Sequence, residues 1–228
     1  MEFALDRLKK EGVVAEGVTA DCQCYRDKTA DYFEENVKNA DVVILFFEMY
    51  TTNNLDKANE TRGWQTRFAD EIIDTAHQNG KKVVFVSGNM PYDTARFTQA
   101  DAIVAAYCAC RMSDIPVDGQ ENPAYGVNYP AALITIFGGN SPTGKLPVDV
   151  YGINENVEYT DEIIYGIGHG LSYADESDET SATTTAATSE SQSNNSDSPD
   201  TVDNGIAVPV AFIAVVSAAA FALRKRRS

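Results

Sequence analysis

Residues 129–150 read YPAALITIFGGNSPTGKLPVDV, and the order of the parts describes the closing of a layer in an α/β fold. Pro130 stands where the first turn of a helix tolerates a missing N–H, and Ala131 to Phe137 follow as an apolar helical run. Gly138 and Gly139 stop that run, because glycine enters the left-handed region without a Cβ clash. Asn140 to Gly144 concentrate turn formers, and Lys145 to Val150 leave as a short, proline-marked extended segment.

Upstream, apolar strands alternate with amphipathic helices. Phe3 to Lys10 reads as the last turns of a helix, Val13 to Val18 as a short strand, and Cys22 to Cys24 as loop. Asp27 or Thr29 is placed to cap a helix running to Lys38, with Tyr32, Phe33 and Val37 on its inner face. Residues 42–47, VVILFF, form an unbroken apolar run that suits a strand buried on both sides. Residues 48–63 are a long polar loop. The next helix gathers Phe68, Ala69, Ile72, Ile73 and Ala76 on one face and stops at Gly80. Lys82 to Ser87 is the second central strand, Gly88 to Pro91 a turn, and Pro91 begins a short helix through Arg96. Ala102 to Tyr107 is a further buried strand, and a loop rich in Pro, Gly and Asn joins Ser113 to Asn128. The alternation implies right-handed crossovers. The expected fold class is an α/β three-layer sandwich with a mainly parallel sheet.

The chain has 228 residues and a net charge of −16. Nucleic acid is excluded as a partner, because it needs a basic face. About 170 residues are available for one globular domain, expected over 1–173. Residues 174–205 collapse to Ser, Thr, Ala, Asp, Asn and Glu, and cannot bury enough apolar surface to order themselves; they read as an acidic stalk. Residues 206–223 form an apolar run of roughly 27 Å as a helix. Arg224, Lys225, Arg226 and Arg227 follow. Residues 206–228 are therefore expected to be a transmembrane or sorting-signal anchor, with the folded domain outside the cell. Ser198-Pro199-Asp200-Thr201 ahead of the run resembles a sortase signal, although Val202 stands where such signals carry Gly or Asn. Residues 1–12 have no apolar run of the kind an export signal needs.

The segment FGGNSPTGKLPVDV at 137–150, with YGIGHGLSY at 165–173, resembles the closing signature of the second domain of family 3 glycoside hydrolases. GNMPYDTARF at 88–97, followed by ADAIVAAY at 100–107, resembles the two-domain β-N-acetylglucosaminidase branch of Gram-positive bacteria. The resemblance spans residues 13–173. It implies an exported glycosidase acting on β-N-acetylglucosaminides, with the β-glucosidase type as the relative of different specificity. It also implies a partner (β/α)8 barrel that carries the nucleophilic Asp, a glycan substrate and no cofactor. No stretch here corresponds to that barrel, which needs about 250 residues. The chain is expected to be the C-terminal piece of a longer product and inactive alone. The alternative is a surface-anchored carbohydrate-binding or scaffold module without catalysis.

In open α/β sheets ligands gather at the carboxyl ends of the strands. Glu48, Asn89 to Asp93 and Tyr107 stand at such ends. In family 3 glucosidases the acid is a Glu on a loop of this second domain, and Glu48 and Glu60 fall in the corresponding region. In the N-acetylglucosaminidase branch the acid is a His on a barrel loop, so no catalytic residue is expected in this chain. Asn89, Asp93 and Arg96 are the substrate-binding candidates. Asp93 and Arg96, three residues apart, are also placed to form a local ion pair. His77 reads as a surface residue near a helix end, and His169 as a polar turn residue. Cys22/Cys24 and Cys108/Cys110 form two C-x-C pairs, a spacing that does not suit zinc. They read as thiols or a disulfide, and no metal site is expected.

Overall fold

A computed structural model of the chain describes residues 2–25, 28–107, 113–116, 123–124, 128–173 and 212–218. In chain order the elements are α1 (Glu2–Lys10), β1 (Val18–Cys24), α2 (Glu34–Asn39), β2 (Val42–Phe47), α3 (Trp64–Gln78), β3 (Lys82–Ser87) and β4 (Ala102–Ala105). There follow β5 (Ser113–Pro116), β6 (Pro123–Ala124), α4 (Asn128–Ile136), β7 (Val150–Ile153), β8 (Tyr159–Tyr165) and β9 (Phe212–Ala218). Short 3-10 turns cover Ala30–Phe33, Thr52–Asn54 and Pro91–Ala95.

The main sheet has the order β1-β9-β2-β3-β4. β2, β3 and β4 are parallel, with Phe46 opposite Val86 and Val86 opposite Val104. Side chains alternate across the sheet as the strand period requires. Val43, Leu45 and Phe47 of β2 and Val83 and Phe85 of β3 enter one core with Phe33, Val37, Phe68, Ile72 and Ile73. Ile44, Phe46 and Val86 enter the other with Ala4 and Leu5 of α1 and Leu133 of α4. Helices thus cover both faces, and the three-layer arrangement follows from strands that are apolar on both sides. Phe47, Phe85 and Phe97 stack at centroid distances of 4.5–5.6 Å and fill the first core. Gly80 and Gly138, at φ +66° and +79°, end α3 and α4 in the left-handed conformation that favours glycine.

Several expectations are corrected. The first strand is Val18–Cys24 rather than 13–18, so Cys22 and Cys24 lie in β1, not in a loop. Tyr32 is exposed, while Phe33 and Val37 are buried as expected. β4 is only partly buried, because among the described residues it pairs on one side alone, with β3. The segment from Lys145 leads into a β7–β8 hairpin, a separate two-stranded sheet that the sequence reading did not contain.

The C-terminal segment departs most from its reading. Phe212–Ala218, inside the run expected to be a transmembrane helix, is the antiparallel strand β9. Ile213 pairs with Leu45 on one side and Gln23 on the other. Ile213, Val215 and Val216 are β-branched, and an apolar stretch of this kind meets its backbone hydrogen-bond demand equally by joining a sheet. Among the described residues no helix is long and apolar enough to cross a membrane. The stalk, the Ser198–Thr201 motif and the basic tail lie outside the described residues.

Candidate functional site at the strand ends

The parallel strands β2, β3 and β4 bring Glu48, Gly88, Asn89 and Tyr107 to one end of the sheet. Glu48, the residue after β2, is 1% exposed. Its Oε2 accepts from the Tyr50 hydroxyl at 2.8 Å, and its Oε1 accepts from the Tyr129 hydroxyl at 2.7 Å. Tyr50 is two residues on, so it falls on the same side of the extended chain. Tyr129 comes from the first turn of α4, with its ring edge-on to Phe46 at 4.9 Å. Gly88 makes this junction possible. A Cβ there would lie 2.0 Å from the Tyr129 hydroxyl and 3.1 Å from Glu48 Cγ, so only glycine lets the β3 end pass beneath the pair.

The loop after Glu48 is tied down from within. Asn54 Oδ1 accepts from the backbone N–H groups of Tyr50 and Thr51 at 3.1 and 3.0 Å. Thr66 Oγ1 donates to the Asn54 carbonyl at 2.6 Å. Asn89 Nδ2 donates across to the Met49 carbonyl at 2.8 Å, linking the ends of β2 and β3. At the end of β4, Tyr107 adopts φ +49°, a strained conformation for a residue with a Cβ. Asn128 Nδ2 holds it there by donating to the carbonyls of Ala106 and Tyr107 at 2.8 and 2.9 Å.

The remaining candidates separate. Glu60 is exposed on the outer part of the loop, where its backbone carbonyl accepts from Arg67. Asp93, on the Pro91–Ala95 turn, is fully buried, and neither carboxyl oxygen meets a hydrogen-bond partner. Burial outweighs the nearby Ser87 hydroxyl and the backbone of Asp93 and Thr94, none of which reaches a carboxyl oxygen with full hydrogen-bond geometry, and holds the carboxyl up at about 8. The expected Asp93–Arg96 pair does not form. Arg96 Nη2 donates instead to Asp70 Oδ2 on α3 at 2.7 Å. His77 Nε2 lies 3.0 Å from Asp101 Oδ2 at the opposite end of the sheet. His169 sits in the turn after β8, its ring 5.2 Å from that of Tyr165. Cys22 is exposed on β1, and Cys108 and Cys110 lie outside the described residues.

Glycosidic cleavage by two carboxyl groups needs one to give a proton and the other to act across the sugar. Both oxygens of Glu48 are held by tyrosines, and Asp93 is sealed from solvent. The strand ends therefore form a hydrogen-bonded polar rim. The sequence reading placed Glu48 and Asn89 on this rim and missed Tyr50 and Tyr129. Tyr50 was legible from its two-residue spacing. Tyr129 is 81 positions from Glu48, and only Gly88, a glycine ending a buried strand, hinted at a close approach.

No curated protein matches this chain. The family description "Glycosyl hydrolase family 3 C-terminal domain" matches residues 5–173. That span runs from α1 through β1 and the parallel strands β2, β3 and β4 to the tail of the β7–β8 hairpin, well over half of the sequence, and the chain belongs to the glycosyl hydrolase family 3 C-terminal domain family.

Proposed function

We propose that the domain serves an exported glycoside hydrolase of family 3 as the partner of a (β/α)8 barrel, helping to shape a pocket for β-N-acetylglucosaminides. The observation that carries this reading is the rim at the carboxyl ends of β2 to β4. Glu48, Asn89 and Tyr107 are fixed there by hydrogen bonds, where open α/β sheets receive ligands. Catalytic groups come from the barrel, and Glu48 braces the rim. The assignment to the Gram-positive β-N-acetylglucosaminidase branch rests on the NMPYD stretch at 89–93. The extracellular location belongs to the same proposal and rests on the acidic, Ser- and Thr-rich composition of residues 174–205.

The test uses the purified chain and the same domain joined to a family 3 barrel, each incubated with aryl N-acetylglucosaminide and aryl glucoside. Turnover is expected only with the barrel, with N-acetylglucosaminide preferred. Turnover by the chain alone that Glu48→Gln abolishes would overturn the reading. The buried state of both Glu48 and Asp93 also suits a carbohydrate-binding or scaffold module. Saturable glycan binding by the chain alone, without gain of hydrolysis when the barrel is joined, would favour that second function.

A further inference from the structure

The Pro91–Ala95 turn lies between the end of β3 and the β7–β8 hairpin and packs on β3, β4 and β7. Tyr92 on the turn meets Tyr159 of β8 with ring centroids 6.2 Å apart. Asp93, on the same turn and near enough to Tyr159 of β8 for their charges to interact, is 0% exposed, and neither of its oxygens meets a donor with hydrogen-bond geometry. The nearest cation in sequence, Arg96, is held by Asp70. An ionised carboxylate left without a partner in such a place is strongly disfavoured.

The groups around it compensate only in part, through the Ser87 hydroxyl and the backbone of Asp93 and Thr94, which burial outweighs. β3 offers the Ser87 hydroxyl, which donates to the Met90 carbonyl at 3.1 Å. β4 reads AIVA and has no ionisable side chain; Tyr107 follows it. β7 contributes Tyr151, which is exposed, and β8 contributes Tyr159, while Asp161 and Glu162 of β8 are exposed. Tyr92 is the ionisable neighbour on the turn itself. Thr94 Oγ1 is spent on the Pro91 carbonyl at 2.6 Å. Around the buried carboxyl group these elements therefore place four phenols and two hydroxyls, with no positive charge among the described residues named.

We propose that Asp93 makes the seam between the Pro91–Ala95 turn and the β7–β8 hairpin a pH-sensitive latch, closed while the carboxyl keeps its proton and opened when it ionises into water. This goes beyond the proposed glycosidase role and does not depend on it. In the closed seam burial holds the group up near 8, whereas a hydrated Asp ionises near 4. The open form is therefore favoured increasingly as pH rises between those values, and no further above them.

Amide hydrogen exchange of the full chain, corrected for the intrinsic rate, tests the proposal. Opening of β7 and β8 is expected to rise by up to about tenfold per pH unit from about pH 5 to about pH 8 and then to level off. Amides of β3 should not follow. Asp93→Asn should hold the hairpin closed throughout, and Tyr159→Phe should keep the pH response. A hairpin whose corrected exchange ignores pH, or whose response survives Asp93→Asn or disappears in Tyr159→Phe, would overturn the latch. Carboxyl carbon chemical shifts give a readout free of mutation. An Asp93 titration confined to the ordinary carboxylate range, with the hairpin still closed, also sinks the idea.

Discussion

Arg96 Nη2 donates to Asp70 Oδ2 at 2.7 Å across the gap between the Pro91–Ala95 turn and α3. Asp93, three residues before it, stays without a cation. Asp70 is the hub of this contact. It also takes the Lys57 ammonium, and Gln99 Nε2 donates to its Oδ1 at 3.2 Å. The Arg96 and Asp70 side chains are 23% and 13% exposed, whereas Lys57 is 54% exposed. Arg96→Met is therefore expected to lower stability by about 1–3 kcal/mol, and Lys57→Met by less than about 1 kcal/mol. Urea denaturation of the two variants checks the ranking, and equal losses would contradict it.

The pH dependence of global stability follows from Asp93 with a definite sign. Its folded carboxyl is raised to about 8 from an ordinary value of 3.8. Between those values the folded state keeps a proton that the unfolded state has lost, so stability falls as pH rises through the window. Asp93→Asn removes the effect and should be more stable than the parent near neutral pH, by on the order of a few kcal/mol. Chemical denaturation of both proteins at several pH values measures it.

Asp101 has the opposite sign. Burial opposes its ionisation, yet hydrogen bonds from Lys82, the Val83 N–H and His77, with the Lys82 charge, outweigh burial and hold the carboxyl at about 2. Lys82 Nζ lies 2.6 Å from Oδ1, and the Val83 N–H donates to Oδ2 at 2.9 Å. The stability Asp101 contributes is present above the ordinary 3.8 and is lost as pH falls towards 2. Asp101→Asn should flatten that acid limb and lower the neutral-pH stability by about 1 kcal/mol. Acid titration followed by circular dichroism reads both effects.

How much of this was legible in the sequence depends on whether a signal was local. β2 and β3 run from Val42 to Phe47 and from Lys82 to Ser87, as their apolar runs indicate, because strands buried on both faces leave no other reading. β1 was misplaced because Thr19, Asp21 and Gln23 make it look like a loop. The β7–β8 hairpin was missed because YTDEIIY shows no clean alternation, and its register shifts twice. The run at 206–223 was read by hydropathy, which measures apolar character but not whether the backbone pairs with a bilayer-spanning helix's own turns or with a neighbouring strand. At the site, strand-end positions pointed to Glu48 and Asn89. Asp93 and Arg96 were assigned to each other by spacing alone, since nothing nearby in the sequence reveals that Asp70 on α3 competes for the arginine.

The Gly88 junction gives the last prediction. Gly88 N–H donates to the Phe47 carbonyl at 2.7 Å, which fixes the backbone beside Glu48. A methyl group there collides with the Tyr129 hydroxyl, so Gly88→Ala must push that ring aside and break its hydrogen bond to Glu48. Tyr129→Phe removes the same hydrogen bond without a collision and leaves Glu48 Oε1 without that donor. The tyrosine variant is expected to lose about 1–3 kcal/mol from the unmet carboxylate. The glycine variant adds the strain of overpacking, typically another 1–3 kcal/mol or so. In Gly88→Ala/Tyr129→Phe the collision is partly relieved, because the hydroxyl oxygen is gone. The double variant should therefore be less destabilised than the sum of the singles. Additive losses in a thermal-denaturation double-mutant cycle would mean that Gly88 and Tyr129 act independently, and that the close approach is not what requires glycine at the end of β3.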